Sequence, residues 1–116
     1  MVFFQYVITH LQVKDNLAFC YLPKGCNQNL LGIIGDFILS LGEINFSFLC
    51  AKNSDLINFS VRNELENISA SHLLQHILSG IGSGGGHADM AGGVMPANNG
   101  FDEKEIFKKV EVYLQS

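Results

Sequence analysis

Residues 80–93 constrain this chain more than any other stretch, because seven of the fourteen are glycine. They read Gly-Ile-Gly-Ser-Gly-Gly-Gly-His-Ala-Asp-Met-Ala-Gly-Gly, with a lone histidine, His87, in the middle. Glycine weakens both helices and strands, so this density is typical of a backbone that needs unusual conformations or a close approach to a partner. The sequence therefore predicts that function centres here and that the rest of the chain holds this stretch in place.

The length and charge of the chain limit its architecture and its ligands. A chain of 116 residues is enough for one domain with a single core, so we treat residues 1–116 as one domain. The net charge is −4, which argues against a basic surface that grips nucleic acid non-specifically. Any anion must therefore be bound by individual groups at its site, and not by an overall positive charge.

The cysteines and the N-terminus indicate a cytoplasmic protein. Cys20, Cys26 and Cys50 form no CxxC pair, and an odd number argues against a complete disulfide framework, so we expect reduced, mostly buried thiols. The apolar residues 1–8 lack a basic segment before them and are interrupted by Gln5. We expect neither a signal peptide nor a membrane span there.

Hydrophobic patterns in the first half predict two hairpins around a helix. Aromatic and β-branched residues predict a strand over residues 2–9, paired antiparallel with a strand over 17–22. Apolar spacing predicts a helix over 27–41, in which Gly32 and Gly35 allow a close approach to a sheet. Alternation predicts a second hairpin of strands 43–51 and 56–62, with one sheet face against helices and the other partly exposed.

The second half adds two helices and a short strand. Ser69 or Ser71 can cap a helix that runs to residue 79, where the glycine stretch begins as a loop. A short strand follows over 90–95, and Asp102 caps a final helix over 103–114. The order predicts an α/β domain, with α+β as the alternative, in which about three helices flank a mixed sheet of about five strands.

Three consecutive glycines before a histidine are suited to binding an anion. Backbone N–H groups can turn toward a phosphate, and His87 can donate to one of its oxygens, without a positively charged protein. No Lys-Ser/Thr follows the glycines, and no strand with GxGxxG precedes a helix there, so known phosphate and dinucleotide loops do not fit. The alternative is a structural turn that packs its backbone tightly.

Two motifs together resemble a known family. Ser60-Val61-Arg62 ends a predicted strand, and after a helix the chain reads Gly84-Gly85-Gly86-His87, followed by Ala91 and Gly92. This pattern resembles the C-terminal DHH-associated domain of DHH-family phosphoesterases, a group of hydrolases that includes exopolyphosphatase-related proteins and small-oligonucleotide phosphodiesterases. The resemblance spans nearly the whole chain, and its Met-Ala-Gly-Gly ending leans toward the exopolyphosphatase-related members.

The resemblance implies a substrate-binding role. Matching motifs make Gly84, Gly85, Gly86, His87, Ala91 and Gly92 the loop contacts of a nucleotide, short oligonucleotide or polyphosphate, and Arg62 the anion clamp. Arginine suits that role because its planar fork makes two hydrogen bonds to a phosphate. The alternative for Arg62 is a solvated charge paired with Glu64 or Glu66.

The chain departs from that family in the residues that carry catalysis. Family members hold two divalent ions, usually Mn²⁺, in an N-terminal domain with an Asp-His-His triplet, which is absent from this sequence. We expect no catalytic residue and no cofactor in this chain, with Mn²⁺ or Mg²⁺ in a separate DHH domain as partner. His72 and His76 lie four apart on one helix, but no third ligand accompanies them, so we interpret them as surface residues.

A second resemblance offers another class of function. The C-terminal domain of alanyl-tRNA synthetases carries a related glycine-rich loop with Asp-Met-Ala, as in Asp89-Met90-Ala91 here. It implies an RNA-binding or self-association module, and a homodimer is possible. His87 after three glycines favours the phosphoesterase version, although Asn63 and Met90 stand where that family often has serine and a small residue. A purely structural interaction domain is the third alternative.

Overall fold

The computed structural model describes the chain over residues 2–115. Ten elements follow one another as α1 (Val2–His10), β1 (Gln12–Lys14), β2 (Leu17–Leu22), α2 (Gln28–Leu39), β3 (Phe46–Asn53), β4 (Leu56–Asn63), α3 (Ala70–Leu78), β5 (Ser83–Gly86), β6 (Met90–Pro96) and α4 (Glu103–Gln115). None of the helices in this described part is long and apolar enough to cross a membrane.

The six strands form one mixed sheet in the order β1-β2-β3-β4-β6-β5. Strands β2 and β3 are parallel, and the other neighbours are antiparallel. The connection between β2 and β3 runs through α2, as parallel pairing requires a crossover. The α/β class is confirmed, and residues 2–115 hold six strands and four helices where about five and about three were expected.

Helices cover both faces of the sheet. Helices α1 and α2 bury one apolar cluster that includes Cys20, Leu31 and Leu49, and α3 and α4 bury another that includes Phe48 and Phe59. Six consecutive residues of β3, from Phe46 to Ala51, are therefore buried. The expectation that one face is partly exposed is wrong for β3, because helices cover this strand on both faces. It holds for β4, where Leu56 is exposed and Asn58 and Arg62 are partly exposed. All three cysteines are buried and free of disulfides, as expected.

The N-terminal strand predicted for residues 2–9 is a helix instead. The strand that forms the first hairpin is β1, which pairs with β2 from Gln12↔Phe19 to Lys14↔Leu17. A short apolar run fits a buried helix as well as a strand, and here packing decides. Val7 is only 3% exposed in the α1–α2 cluster, while Tyr6 and His10, one helical turn apart, stack at 4.0 Å between ring centroids.

Polar caps fix the starts of the other helices. Asn27 Oδ1 accepts from Leu30 N at 2.8 Å, and Ser69, rather than Ser71, caps α3 by accepting from His72 N at 3.3 Å. Asp102 Oδ1 accepts from Lys104 N at 3.0 Å at the start of α4. These starts follow from local chemistry, and the sequence predicts them to within one or two residues.

The glycine stretch is a β-hairpin and not a loop. Strands β5 and β6 pair from Ser83↔Val94 to Gly86↔Ala91, with the turn at residues 87–89. A Cβ atom on Gly84 would lie 3.0 Å from the Leu74 side chain, and one on Gly93 would lie 2.8 Å from Leu78. Several glycines are thus needed because α3 packs directly on the hairpin backbone.

Candidate functional site

An open groove lies between α2 and the β5–β6 hairpin. Helix α2 packs on β3 and β4, whereas α3 packs on β5 and β6 from the opposite face of the sheet. The groove between α2 and the hairpin has a volume of about 320 Å³. Its lining comes from the start of α2, the end of β4 and the hairpin, and consists of Gln28, Asn29, Gly32, Ser60, Arg62, Gly85, Gly86, His87, Met90, Ala91 and Gly92.

Arg62 lies in this groove along a notch in α2. The notch is made by two helical glycines: a Cβ atom on Gly35 would lie 3.1 Å from Arg62 Cγ, and one on Gly32 would clash with Arg62 Nη2. The Arg62 side chain is therefore 15% exposed although it carries a charge. The close approach that sequence analysis expected at Gly32 and Gly35 is confirmed, and what approaches is the aliphatic stem and head of an arginine.

The guanidinium of Arg62 is oriented by three protein acceptors. Nε donates to Asp36 Oδ1 at 2.8 Å, and Nη1 donates to Ser60 Oγ at 3.4 Å and to Val61 O at 3.3 Å. Nη2 donates to none of the residues that the structure describes. The ion pair therefore uses one side of the guanidinium and leaves Nη2, which lies against Gly32 in the lining of the groove, able to bind a ligand.

Asp36 was missed by sequence analysis, which considered Glu64 and Glu66 as the alternative partners of Arg62. Asp36 is 66% exposed and belongs to α2, 26 residues from Arg62 in sequence. The spacing of Gly32, Gly35 and Asp36 places all three on one helical face, and that pattern is the signal that could have revealed a polar group packed there.

The open edge of β5 presents backbone donors beside the groove. His87 N donates to Met90 O at 2.7 Å, which marks these two residues as a hydrogen-bonded pair of the ladder. Hydrogen-bonded pairs alternate with unbonded ones along antiparallel strands. The backbone N–H and C=O of Gly85 therefore point toward β6, while the N–H groups of Gly84 and Gly86 point away from it. Because β5 is the last strand of the sheet, the Gly86 amide is free to meet a ligand oxygen.

The start of α3 holds the hairpin turn in place. Ala70 N donates to Ala88 O at 2.8 Å and Ser71 N donates to His87 O at 3.0 Å. Amides of the first helical turn that would otherwise lack partners are satisfied in this way. The backbone of His87 is thus fixed at both its N–H and its C=O, and its imidazole stays exposed at the groove.

Buried Asn63 links the end of β4 to the same turn. Its Nδ2 donates to Ile68 O at 2.7 Å and to Leu65 O and Ala88 O, both at 3.1 Å, and its Oδ1 accepts from Leu65 N at 2.9 Å. A serine hydroxyl, with one proton, could not make these bonds together. The departure from serine at this position therefore has a structural reason.

The fold gathers most of the residues that the sequence singled out. Arg62, Gly85, Gly86, His87, Ala91 and Gly92 line the groove, whereas Gly84 faces Leu74 on the other side of the sheet. Binding by these residues stays a prediction. Gln28, Asn29, Gly32, Ser60 and Met90 complete the lining and were not predicted.

The electrostatic character of the groove is set by one cation. Of the Lys and Arg residues within 2–115, Arg62 alone lines it. Within the same range, no three His, Cys, Asp or Glu side chains are grouped so that they could hold a metal ion. His72 and His76 are exposed on α3, as expected, and the His76 ring packs on Tyr113 at 5.2 Å between centroids.

Comparison with known proteins identifies one matching family. The sequence pattern of the DHHA1 domain matches residues 14–116, nearly the whole chain. No curated protein matches the chain.

Solved structures show the same fold at low identity. The C-Ala domain of alanyl-tRNA synthetase from Aquifex aeolicus has a TM-score of 0.73 at 20% identity, covering 91% of this chain and 98% of that one. RecJ from Thermus thermophilus in complex with Mg²⁺ has a TM-score of 0.76 at 21% identity, covering 98% of this chain. An exopolyphosphatase-related protein from Bacteroides fragilis has a TM-score of 0.67 at 19% identity, covering 97%. This chain spans 17% of RecJ and 33% of the exopolyphosphatase-related protein.

Proposed function

The chain belongs to the DHHA1 domain family, and on that premise we propose that it is the substrate-binding domain of a DHH-family phosphoesterase. It binds the phosphate of a nucleotide, short oligonucleotide or polyphosphate through Arg62 and the segment from Gly85 to His87, with Ala91 and Gly92 beside them. It acts in the cytoplasm and does not cleave its ligand alone.

The observation that carries this proposal is the shared groove of Arg62, Gly86 and His87. A phosphate seated there receives hydrogen bonds from Arg62 Nη2, from the outward N–H of Gly86 and from the exposed imidazole. Charge-assisted bonds from a guanidinium to phosphate are about twice as strong as neutral ones. Asp36 and Ser60 hold the guanidinium in place before the ligand arrives, which lowers the entropy lost on binding.

Catalysis requires residues that the described part of this chain does not supply. Hydrolysis by two divalent ions needs a cluster of carboxylate and histidine ligands, and residues 2–115 hold no such group. Residues 2–115 therefore offer no site that fits Mn²⁺ or Mg²⁺. RecJ, in contrast, has one structure in complex with Mg²⁺ and another in complex with Mn²⁺. The metals and the water that they activate belong to an N-terminal DHH catalytic domain, and His87 joins the active site that the two domains share.

Titration calorimetry with a 5′-phosphorylated dinucleotide and with tripolyphosphate tests the proposal. We expect Arg62→Ala and His87→Ala to weaken binding of at least one probe, the former by about tenfold, as lost hydrogen bonds to a charged group imply. Lys52→Ala is the matched control, since it also removes a surface cation but lies outside the groove. Equal affinities for the wild type, Arg62→Ala and His87→Ala would place the binding site elsewhere.

A module like the C-Ala domain is the alternative, supported by the fold shared with 98% of that chain. In this function the surface binds tRNA or a second copy. Structured RNA is held by many phosphate contacts, which the single cation of the groove does not provide. Binding of tRNA without any response to His87→Ala, or a dimer in analytical ultracentrifugation, would favour the alternative.

A further inference from the structure

Gln28 lines the same groove as Arg62. Gln28 is the first residue of α2, and it is exposed. It lies over β6 so closely that a Cβ atom on Gly92 would be 3.1 Å from Gln28 Nε2. Glycine at position 92 therefore makes room for an amide, and a neutral polar group lines the same groove as Arg62.

Three amide side chains form a relay that holds Gln28. Gln28 Nε2 donates to Phe59 O at 2.8 Å, and its Oε1 accepts from Asn58 Nδ2 at 3.1 Å. Asn58 Oδ1 in turn accepts from Asn53 Nδ2 at 2.9 Å. Asn53 is anchored to the backbone of Cys26, whose N–H it accepts at 3.0 Å and to whose C=O it donates at 2.9 Å.

The relay determines which end of each amide is the donor. At one end the fixed group is Phe59 O, an acceptor, and at the other it is the N–H and C=O of Cys26. Turning the Gln28 amide over would place two oxygens together at Phe59 and two NH₂ groups together at Asn58. The orientation of Gln28 is therefore set by backbone groups of one strand, β4, and of the loop at Cys26.

Among the residues that the structure describes, Gln28 keeps one unused donor and one unused acceptor. An amide NH₂ carries two protons and an amide oxygen two lone pairs, and the relay uses one of each. On an exposed residue that lines the groove, the remaining pair is available to a ligand. The free acceptor disfavours a neighbouring phosphate, whose oxygens are also acceptors, and favours a group that carries an N–H.

We propose that Gln28 is a specificity-determining residue that binds the edge of a nucleobase whose phosphate lies at Arg62. A glutamine amide pairs in two places with a base edge that has an amino group next to a ring nitrogen, as adenine does. This inference rests on the proposed function and narrows its ligand to a nucleotide. A nucleotide can bind both Gln28 and Arg62, whereas a polyphosphate can bind only Arg62. The relay through Asn58 prepares the amide for this contact.

Calorimetric titration of the whole chain with 5′-AMP and with ribose 5-phosphate, which lacks the base, separates the contact with Gln28 from that with Arg62. We expect Gln28→Ala to weaken 5′-AMP binding about tenfold, the cost of losing a two-point base contact, and to leave ribose 5-phosphate binding unchanged. Asn58→Ala, which frees the Gln28 amide without removing it, lowers affinity for 5′-AMP alone. Gln12→Ala is the matched control, because Gln12 is an exposed glutamine on β1 at the far edge of the sheet.

Three outcomes are distinguishable. Equal weakening of both probes by Gln28→Ala, or no weakening of either, would overturn the inference. If Gln28→Ala gave one of those results while Arg62→Ala still weakened ribose 5-phosphate binding, the proposed function would stand without the role of Gln28. Failure of the wild-type protein to bind either probe would overturn the inference, and failure to bind the dinucleotide and tripolyphosphate as well would overturn the proposed function. Thermal denaturation of each variant establishes that it is folded.

Discussion

The Nη2 nitrogen of Arg62 occupies the space that a Cβ atom would need at position 32. Gly32 belongs to α2 and Arg62 to β4, so the guanidinium of a strand residue fills the space that a side chain on the helix would otherwise take. Glycine inside a helix costs about 1 kcal/mol relative to alanine. That cost is tolerated here because the missing side chain leaves a channel in which the guanidinium reaches the groove.

Gly32→Ala should separate stability from binding. The added methyl group meets the flexible end of Arg62 and displaces it, so we expect weaker nucleotide binding, whereas helix propensity raises the free energy of unfolding by up to about 1 kcal/mol. Calorimetry and urea unfolding measure the two effects. Ile33→Ala, on an exposed position of the same helix, should leave binding unchanged. Undiminished affinity of Gly32→Ala would show that the position of Nη2 does not matter.

Gly86→Ala should destabilise the hairpin, and Gly85→Ala should not. Gly86 has φ +152, and a Cβ atom there would lie 2.5 Å from Met90 O, a backbone atom that cannot move aside. Backbone strain of this kind costs about 1–3 kcal/mol. A Cβ atom on Gly85 would meet only Gln75 Nε2, at 3.6 Å. Urea unfolding compares the pair, and equal midpoints would contradict the strain at Gly86.

Gly84→Ala tests whether this glycine serves packing. Its Cβ atom would lie 3.0 Å from the Leu74 side chain, and overpacking of a core costs about 1–3 kcal/mol. Leu74→Ala alone leaves a cavity and costs about 2–5 kcal/mol. We expect the double variant to be more stable than the sum of the two losses predicts, because the cavity accepts the methyl group. Strict additivity in thermal unfolding would argue against a direct contact.

Alkaline pH should weaken the fold through the buried thiols. Burial raises the pKa of Cys20 from 9.0 to about 12, and it raises the pKa of Cys50 well above its ordinary value. Above about pH 9 the unfolded chain loses these protons and the folded chain keeps them, so stability present below pH 9 is lost as the pH rises toward 12. Each thiol contributes a slope of about 1.4 kcal/mol per pH unit.

Urea unfolding between pH 8 and pH 11 measures that slope. Cys20→Ala removes one titrating thiol, so its free energy of unfolding should fall less steeply with pH than that of the wild type. Parallel curves for the two proteins would assign alkaline unfolding to other groups.

The sequence by itself determined the parts of the fold that depend on short-range chemistry. Asn27, Ser69 and Asp102 begin helices because each side chain satisfies an amide two or three residues ahead. Alternation placed β4, and the turn residues before it indicated its hairpin with β3. The motifs around Arg62 and His87 also identified the family that residues 14–116 match.

Only the tertiary structure decided what long-range packing controls. It made residues 2–9 helical, because an apolar run of that length fits either element until a sheet face is available to cover. It gave Arg62 the partner Asp36 and assigned Gly84 to packing, since both depend on how α2 and α3 lie across the strands. Within residues 80–93, it turned a predicted loop into an edge hairpin, where strand pairing decides which glycine amides remain free.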